Sequence, residues 1–378
     1  MSSGIQINPH KLTEARLSRA YNISKLAELV GVTRQAISKY EQGLSNMSPE
    51  VLNKISTVLE FPVSFFYKAD NNTNNSQSTV FYRSFKSSEE SIRSMIRVKC
   101  NWTYIVYSYL NSRVTMPKVN LPNLDLLLNQ GELSLDTIQN IANVVRDYWC
   151  IGNGPIQNLI YILEKNGIIV SGGSIKATKT DACSEVIAGT PVIFYDKTQK
   201  SACRIRFSIA HELGHILLHS YVTNEDLKNK EFLEKVEKEA NTFAACFLLP
   251  KNSFIRDVNS TSLEYFIMLK EKWKVSISAL VYRCRELSLI DETQHLSLRK
   301  KISYKGWNKK EPLDNVIAYD KPQLFKQAVE FILENSNTKK SDIVYYFSFN
   351  TKDLSDIFGC NEKFWDDTNT PIKFSMIN

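Results

Sequence analysis

Two imidazoles and a carboxylate stand in one short run, His211-Glu212-Leu213-Gly214-His215. On a helix, residues four apart share a face, so both rings can turn to one cation. Glu212 lies next to that face and can hold a water that the cation activates. A hydrolytic zinc centre needs three protein ligands and one open position. The chain has 378 residues and five histidines, three of which (His211, His215 and His219) fall within nine positions. His219 is not read as the third ligand. It follows His211 by eight residues with no turn signal, and a continuous helix puts it about 12 Å along the axis. It reads instead as a partly buried packing residue. The seven cysteines are spread out with no CxxC pair, so neither a thiolate site nor a disulfide framework is expected.

The run must sit on a buried helix, about 204–220, because Ile205, Phe207, Ile209, Ala210, Leu213, Ile216 and Leu217 flank it. Gly214 leaves room beside the metal. A second amphipathic helix spans about 230–249, with Phe232, Leu233, Val236, Ala240, Phe243, Ala244, Phe247 and Leu248 at helical spacing. Glu237 lies at the edge of that apolar face, where a carboxylate is costly unless paired or metal-bound. Asn241, four residues on, can hydrogen-bond a ligand imidazole. Glu239 flanks the opposite edge and is the rival third ligand, with wheel geometry only slightly favouring Glu237. A third helical segment, about 276–288, carries Tyr282 and Arg283, either of which could supply an oxyanion donor. Apolar segments at 167–170 and 191–195 read as strands.

The N-terminal residues 9–67 form a compact helical pattern. Ser24 reads as the cap of a short helix, Lys25–Val30, and Gly31 as a tight turn. Thr33 caps a second helix, 34–42, ended by Gly43. Leu26, Ala27, Val30, Val32 and Ile37 lock the two at a fixed angle. Thr33, Arg34, Gln35, Ser38 and Lys39 then face outward, where Gln and Arg can read adenine and guanine and the others can touch phosphates. This is a helix-turn-helix layout. The pattern Leu26-Ala27, Gly31-Val32, Thr33 to Ile37-Ser38 and Glu41-Gln42-Gly43 resembles the XRE or Cro/repressor family. Double-stranded DNA is the partner this implies, read by a homodimer. Residues 1–70 carry eight Lys and Arg against six Asp and Glu, so charge alone supplies little affinity.

The composition is that of a globular chain: 43% hydrophobic and 23% charged, with a net charge of +7 that permits nucleic acid without demanding it. No apolar run approaches a membrane span and no signal peptide precedes the helices, so a cytoplasmic protein is expected. The predicted organisation is a DNA-binding unit at 1–68, a polar linker at 69–80, a unit carrying the zinc site at 81–291 and a helical region at 292–378. The Lys-rich run near 299–310 reads as a solvated face. The fold class expected is α+β, mostly helical, with a small sheet in the central unit.

The central unit resembles the ImmA/IrrE family of zinc metallopeptidases. The matching residues are Arg206-Phe207, the HExxH run, Glu237 through Ala245 and Leu248-Leu249-Pro250. Arg146 to Trp149, Gly152 to Ile156, Leu163 to Ile168 and Trp273 to Leu280 also follow it. The resemblance implies Zn2+ on His211, His215 and Glu237, with Glu212 as general base and Asn241 beside a ligand. It also implies cleavage of a repressor or antitoxin-like protein, in stress response or mobile-element and phage control. Two other readings stand beside it. One is a transcription factor whose peptidase-like domain senses a ligand or partner without cleaving. The other is an antitoxin-like repressor.

Overall fold

The computed structural model describes residues 7–69, 79–81, 90–128, 133–175, 181–199, 201–223, 226 and 229–366. The fold is α+β and mostly helical, as expected. Four helices open the chain: α1 (Pro9–Ser18), α2 (Ile23–Val30), α3 (Arg34–Glu41) and α4 (Pro49–Leu59). The cap of α2 is Asn22, not Ser24, because the Asn22 side chain accepts from the Lys25 amide and the helix starts at Ile23. Gly31 ends α2 at φ +76°, a conformation that costs a glycine little. Arg16 of α1 grips Glu41 of α3 through two charge-assisted bonds of 2.6 and 2.8 Å. Most of the predicted linker 69–80 lies outside the described residues. Its last two, Thr79 and Val80, begin strand β1 (Thr79–Phe81).

A long helix α5 (Glu90–Asn111), then α6 (Leu135–Tyr148) and α7 (Leu159–Lys165), lead to β2 (Ile169–Gly173), β3 (Ala182–Ile187) and β4 (Thr190–Asp196). The strand order is β1-β3-β4-β2, with β2 parallel to β4 and the other pairs antiparallel. Both faces of this sheet are covered, which is why β4 reads as an unbroken apolar run. Val192 and Phe194 face one core with α5, while Ile193 and Tyr195 face the other. That second core holds α8 (Ala202–Leu218) and α9 (Lys230–Leu248), which pack against each other, with α9 also against α6. It continues through α10 (Lys251–Asp257), α11 (Leu263–Trp273), α12 (Ile277–Glu286) and α13 (Glu292–Tyr304). The Lys-rich run after Leu298 is exposed.

The last helices, α14 (Leu324–Asn335), α15 (Lys340–Phe347) and α16 (Thr351–Phe358), do not form a separate body. Phe347, Phe349, Phe358 and Trp365 join Phe61, Phe65 and Trp102 in one apolar cluster. The N-terminal helices, α5 and the C-terminal helices therefore share a core. Asp353 of α16 pairs at once with Lys99 of α5 and with Arg19 just after α1, the latter at 2.9 Å. Trp102 donates its indole N–H to Glu14 of α1. Among the described residues, no helix is long and apolar enough to cross a membrane.

Candidate metal centre

Helix α8 starts from the Ser201 cap and carries both imidazoles on the face that meets α9. The His211 and His215 Nε2 atoms lie 3.0 Å apart. Glu237 on α9 completes the group, with Oε2 3.3 Å from His211 Nε2 and Oε1 3.4 Å from His215 Nε2. A tetrahedral zinc with bonds of about 2.0–2.1 Å has ligand-to-ligand edges of about 3.3 Å. The three separations therefore fit one such ion, and two imidazoles with a carboxylate are one of the donor sets that hold zinc in open sites. Glu239 does not join this cluster. It points to His219, with Oε2 3.0 Å from Nε2.

The electrostatics follow from burial. His215 is held neutral, its pKa pushed down to about 3, because burial outweighs the pull of Glu237. Burial also works against the charge on Glu237, but the two imidazoles overcome it and keep the carboxyl below the ordinary range. A neutral imidazole and an ionised carboxylate are the forms that ligate. Glu212 is buried and bears no ligand role. Burial raises its carboxyl to about 7, partly offset by His211 and by the Ser184 hydroxyl, which donates to Oε2 at 2.7 Å. A carboxyl near 7 is matched to taking and returning a proton at neutral pH.

Supporting contacts explain several residue choices. Asn241 Oδ1 lies 3.0 Å from His211 Nδ1, so the ring's other nitrogen is left to face Glu237. Gly214 makes its room for a helix and not for the metal as expected. A Cβ there would meet Phe243 Cδ1 at 3.1 Å and the Ala240 carbonyl oxygen at 3.2 Å, so the glycine lets α9 close on α8. Arg146, fully buried, donates to the carbonyls of Gly152, Gly154 and Phe247 and ties the loop after α6 to the end of α9. Arg206 bridges Asp320 and the Ile156 carbonyl.

Tyr282 and Arg283, expected as oxyanion donors, are not brought to the cluster. Arg283 is fully buried and donates to the Leu249 carbonyl, Glu286 and Gln139. Leu249 follows Glu237 by twelve residues, about 18 Å along α9. Tyr282 is half exposed, and its ring lies edge-on to His295. Conversely, His219 is fully buried and not the partly buried residue expected. Its Nδ1 sits 3.0 Å from His215 Nδ1. The missed signal was its spacing from His215, four residues, when only its distance from His211 was weighed. Ser184 had no sequence signal, since only sheet packing brings it to Glu212.

On α3, Thr33, Arg34, Gln35 and Lys39 are exposed and Ser38 is half-buried, while Ile37 faces the core. Thr33 caps the helix by accepting from the Ala36 amide at 3.1 Å.

Two family models match the chain. One, described as helix-turn-helix, covers residues 12–66, and the other, described as an IrrE N-terminal-like domain, covers residues 164–285. The chain thus joins an XRE-type DNA-binding domain to a domain of the IrrE/ImmA peptidase type. Among curated proteins, it is 46% identical over 44 residues to an uncharacterized HTH-type transcriptional regulator of Sinorhizobium medicae, covering 12% of this chain and 32% of that one. It is 39% identical over 59 residues to an HTH-type transcriptional regulatory protein of Methanocaldococcus jannaschii, covering 16% and 19%. A third, an SPbeta prophage-derived HTH-type regulator of Bacillus subtilis, is 33% identical over 58 residues, covering 15% and 54%. The chain spans between about a fifth and a half of the length of these relatives.

Proposed function

We propose that this helix-turn-helix regulator is also a zinc-dependent endopeptidase, acting on a repressor or antitoxin-like protein in stress response or in mobile-element and phage control. One observation carries the reading. Beside the three donors of His211, His215 and Glu237 stands a separate buried carboxyl, Glu212, oriented by Ser184. A purely structural metal site has no use for it.

Bound zinc supplies Lewis acidity that acidifies a water and polarises a peptide carbonyl. His211, His215 and Glu237 hold it, and the packing of α8 on α9 keeps their separation. Glu212 takes the proton of the attacking water and returns it to the leaving amine nitrogen. Ser184 holds that carboxylate in place through both its hydroxyl and its backbone. Thr33, Arg34, Gln35, Ser38 and Lys39 read DNA, with two copies of the chain on paired half-sites. The protein works in the cytoplasm.

A second reading is favoured by the core that the DNA reader shares with α5 and the C-terminal helices. There the metal domain acts as a sensor whose state reaches the DNA reader without cleavage. Glu212→Gln separates the two. Under the first reading, the variant binds zinc as the wild type does, and fragments that accumulate in stressed wild-type cells disappear. Retained cleavage sinks the general-base role, and identical fragment patterns with altered operator binding favour the sensor.

A further inference from the structure

The two ligand histidines are supported unequally. His211 Nδ1 meets a neutral amide, Asn241, and its side chain is 14% exposed. His215 Nδ1 meets a second imidazole, His219, which is wholly buried and in turn meets the buried carboxylate of Glu239. Two contacts lead away from the cluster in sequence: His215 Nδ1 to His219 Nδ1 at 3.0 Å, then His219 Nε2 to Glu239 Oε2 at 3.0 Å.

Each neutral imidazole has one N–H and one lone pair. A carboxylate only accepts, so Glu239 requires the His219 proton on Nε2. In the neutral ring, His219 Nδ1 is then a lone pair that accepts, which puts the His215 proton on Nδ1. That leaves the His215 Nε2 lone pair facing His211 and Glu237. The opposite order would set a lone pair against the Glu239 carboxylate and a proton into the cluster. We infer that His219 and Glu239 are positioning residues: a carboxylate-imidazole relay that selects, through two rings, the tautomer in which His215 can ligate. The inference rests on the metal site proposed above. It gives His219 a role that neither ligation nor packing supplies. Outer partners of ligand histidines typically contribute about 10–100-fold in metal affinity.

The test uses the full-length protein, with Zn2+ affinity measured by competition against a chromophoric chelator and with Co2+ absorption as a second readout. His219→Phe and Glu239→Leu should each weaken Zn2+ binding, His219→Phe by about 10–100-fold. Because Glu239 acts only through His219, the double variant should bind no worse than His219→Phe alone. His219→Gln, which can still accept from His215, should recover part of the loss. Additive losses, or Zn2+ and Co2+ binding equal to wild type in both single variants, would overturn the relay. Glu237→Gln is the control for the site itself. If it binds Zn2+ as the wild type does, or the wild type binds none, the metal reading fails instead. Should the variants not fold, imidazole 15N correlation spectra of the zinc-loaded wild type decide. The relay requires the Nε2–H form of His219, and an Nδ1–H form overturns it.

Discussion

Replacing Asp353 by Asn tests whether the DNA reader is locked to the rest of the chain by one carboxylate. Asp353 faces two cations, Lys99 and Arg19, and the side chains of the three are 6%, 11% and 15% exposed. Burial opposes the charge on Asp353, yet the two cations hold its pKa below the ordinary value. Burial also lowers Lys99, with Asp353 pulling the other way. The amide keeps the volume and removes the charge, leaving the two cations with only the weaker pull of Asp356 on Lys99 and of exposed Glu60, 4.0 Å from Arg19. Breaking a buried pair in this way costs about 3–5 kcal/mol. At about 1.4 kcal/mol per tenfold, local opening should become about 100–1,000-fold more frequent or more. A multi-domain chain need not unfold in one step, so hydrogen exchange resolved by peptide is the appropriate assay. Amides of α1, α5 and α16 should lose protection, while those of α8 and α9 keep theirs. Adding Lys99→Met should restore part of it by removing a stranded ammonium. Exchange in α1 and α16 within about threefold of wild type would refute the lock, as would equal loss across the whole chain. Acid should mimic the substitution. A carboxyl whose folded pKa is depressed stabilises above its unfolded value of about 3.9 and loses that as pH falls through the folded value. The lock should therefore hold at pH 5 and loosen only below about 4.

Three further outcomes are expected. Gly214→Val should cost about 1–3 kcal/mol in thermal stability by forcing α9 off α8, and Zn2+ affinity should fall with it, because the nearest obstacle includes Ala240 backbone. Glu164, whose carboxyl burial raises to about 7 against the amides of Gln323 and Leu324, should behave oppositely to Asp353. Its contribution is complete below an unfolded value of about 4.3 and is lost as pH rises through about 7, so Glu164→Gln should flatten the dependence of stability on pH between about 5 and 8, read by hydrogen exchange of α7 and α14 amides across pH. Gln35→Ala should weaken binding to a selected operator by about 1–3 kcal/mol in fluorescence anisotropy at fixed salt, with little change on unrelated DNA.

What could be read from the chain alone is local. The HExxH spacing sets His211 and His215 on one face because helical hydrogen bonding repeats within a few residues. Gly31, the Thr33 cap and buried Ile37 define the helix-turn-helix over fewer than twenty positions. Even the burial of both faces of β4 is written in an unbroken apolar run of five residues, 191–195. What depends on distant segments could not be read this way. Wheel geometry barely separated Glu237 from Glu239. The closeness of α9 to α8 at Gly214 sends one to the cluster and the other to His219. Arg283 looked like an oxyanion donor until packing placed it at the far end of α9. The 292–378 region reads only as helical in the sequence, yet Asp353 closes on Lys99 across 254 residues of chain. The helical period fixes a residue's angle about its own axis. Which neighbour lies at that angle is decided by how whole apolar faces bury one another, and that is a property of the folded chain.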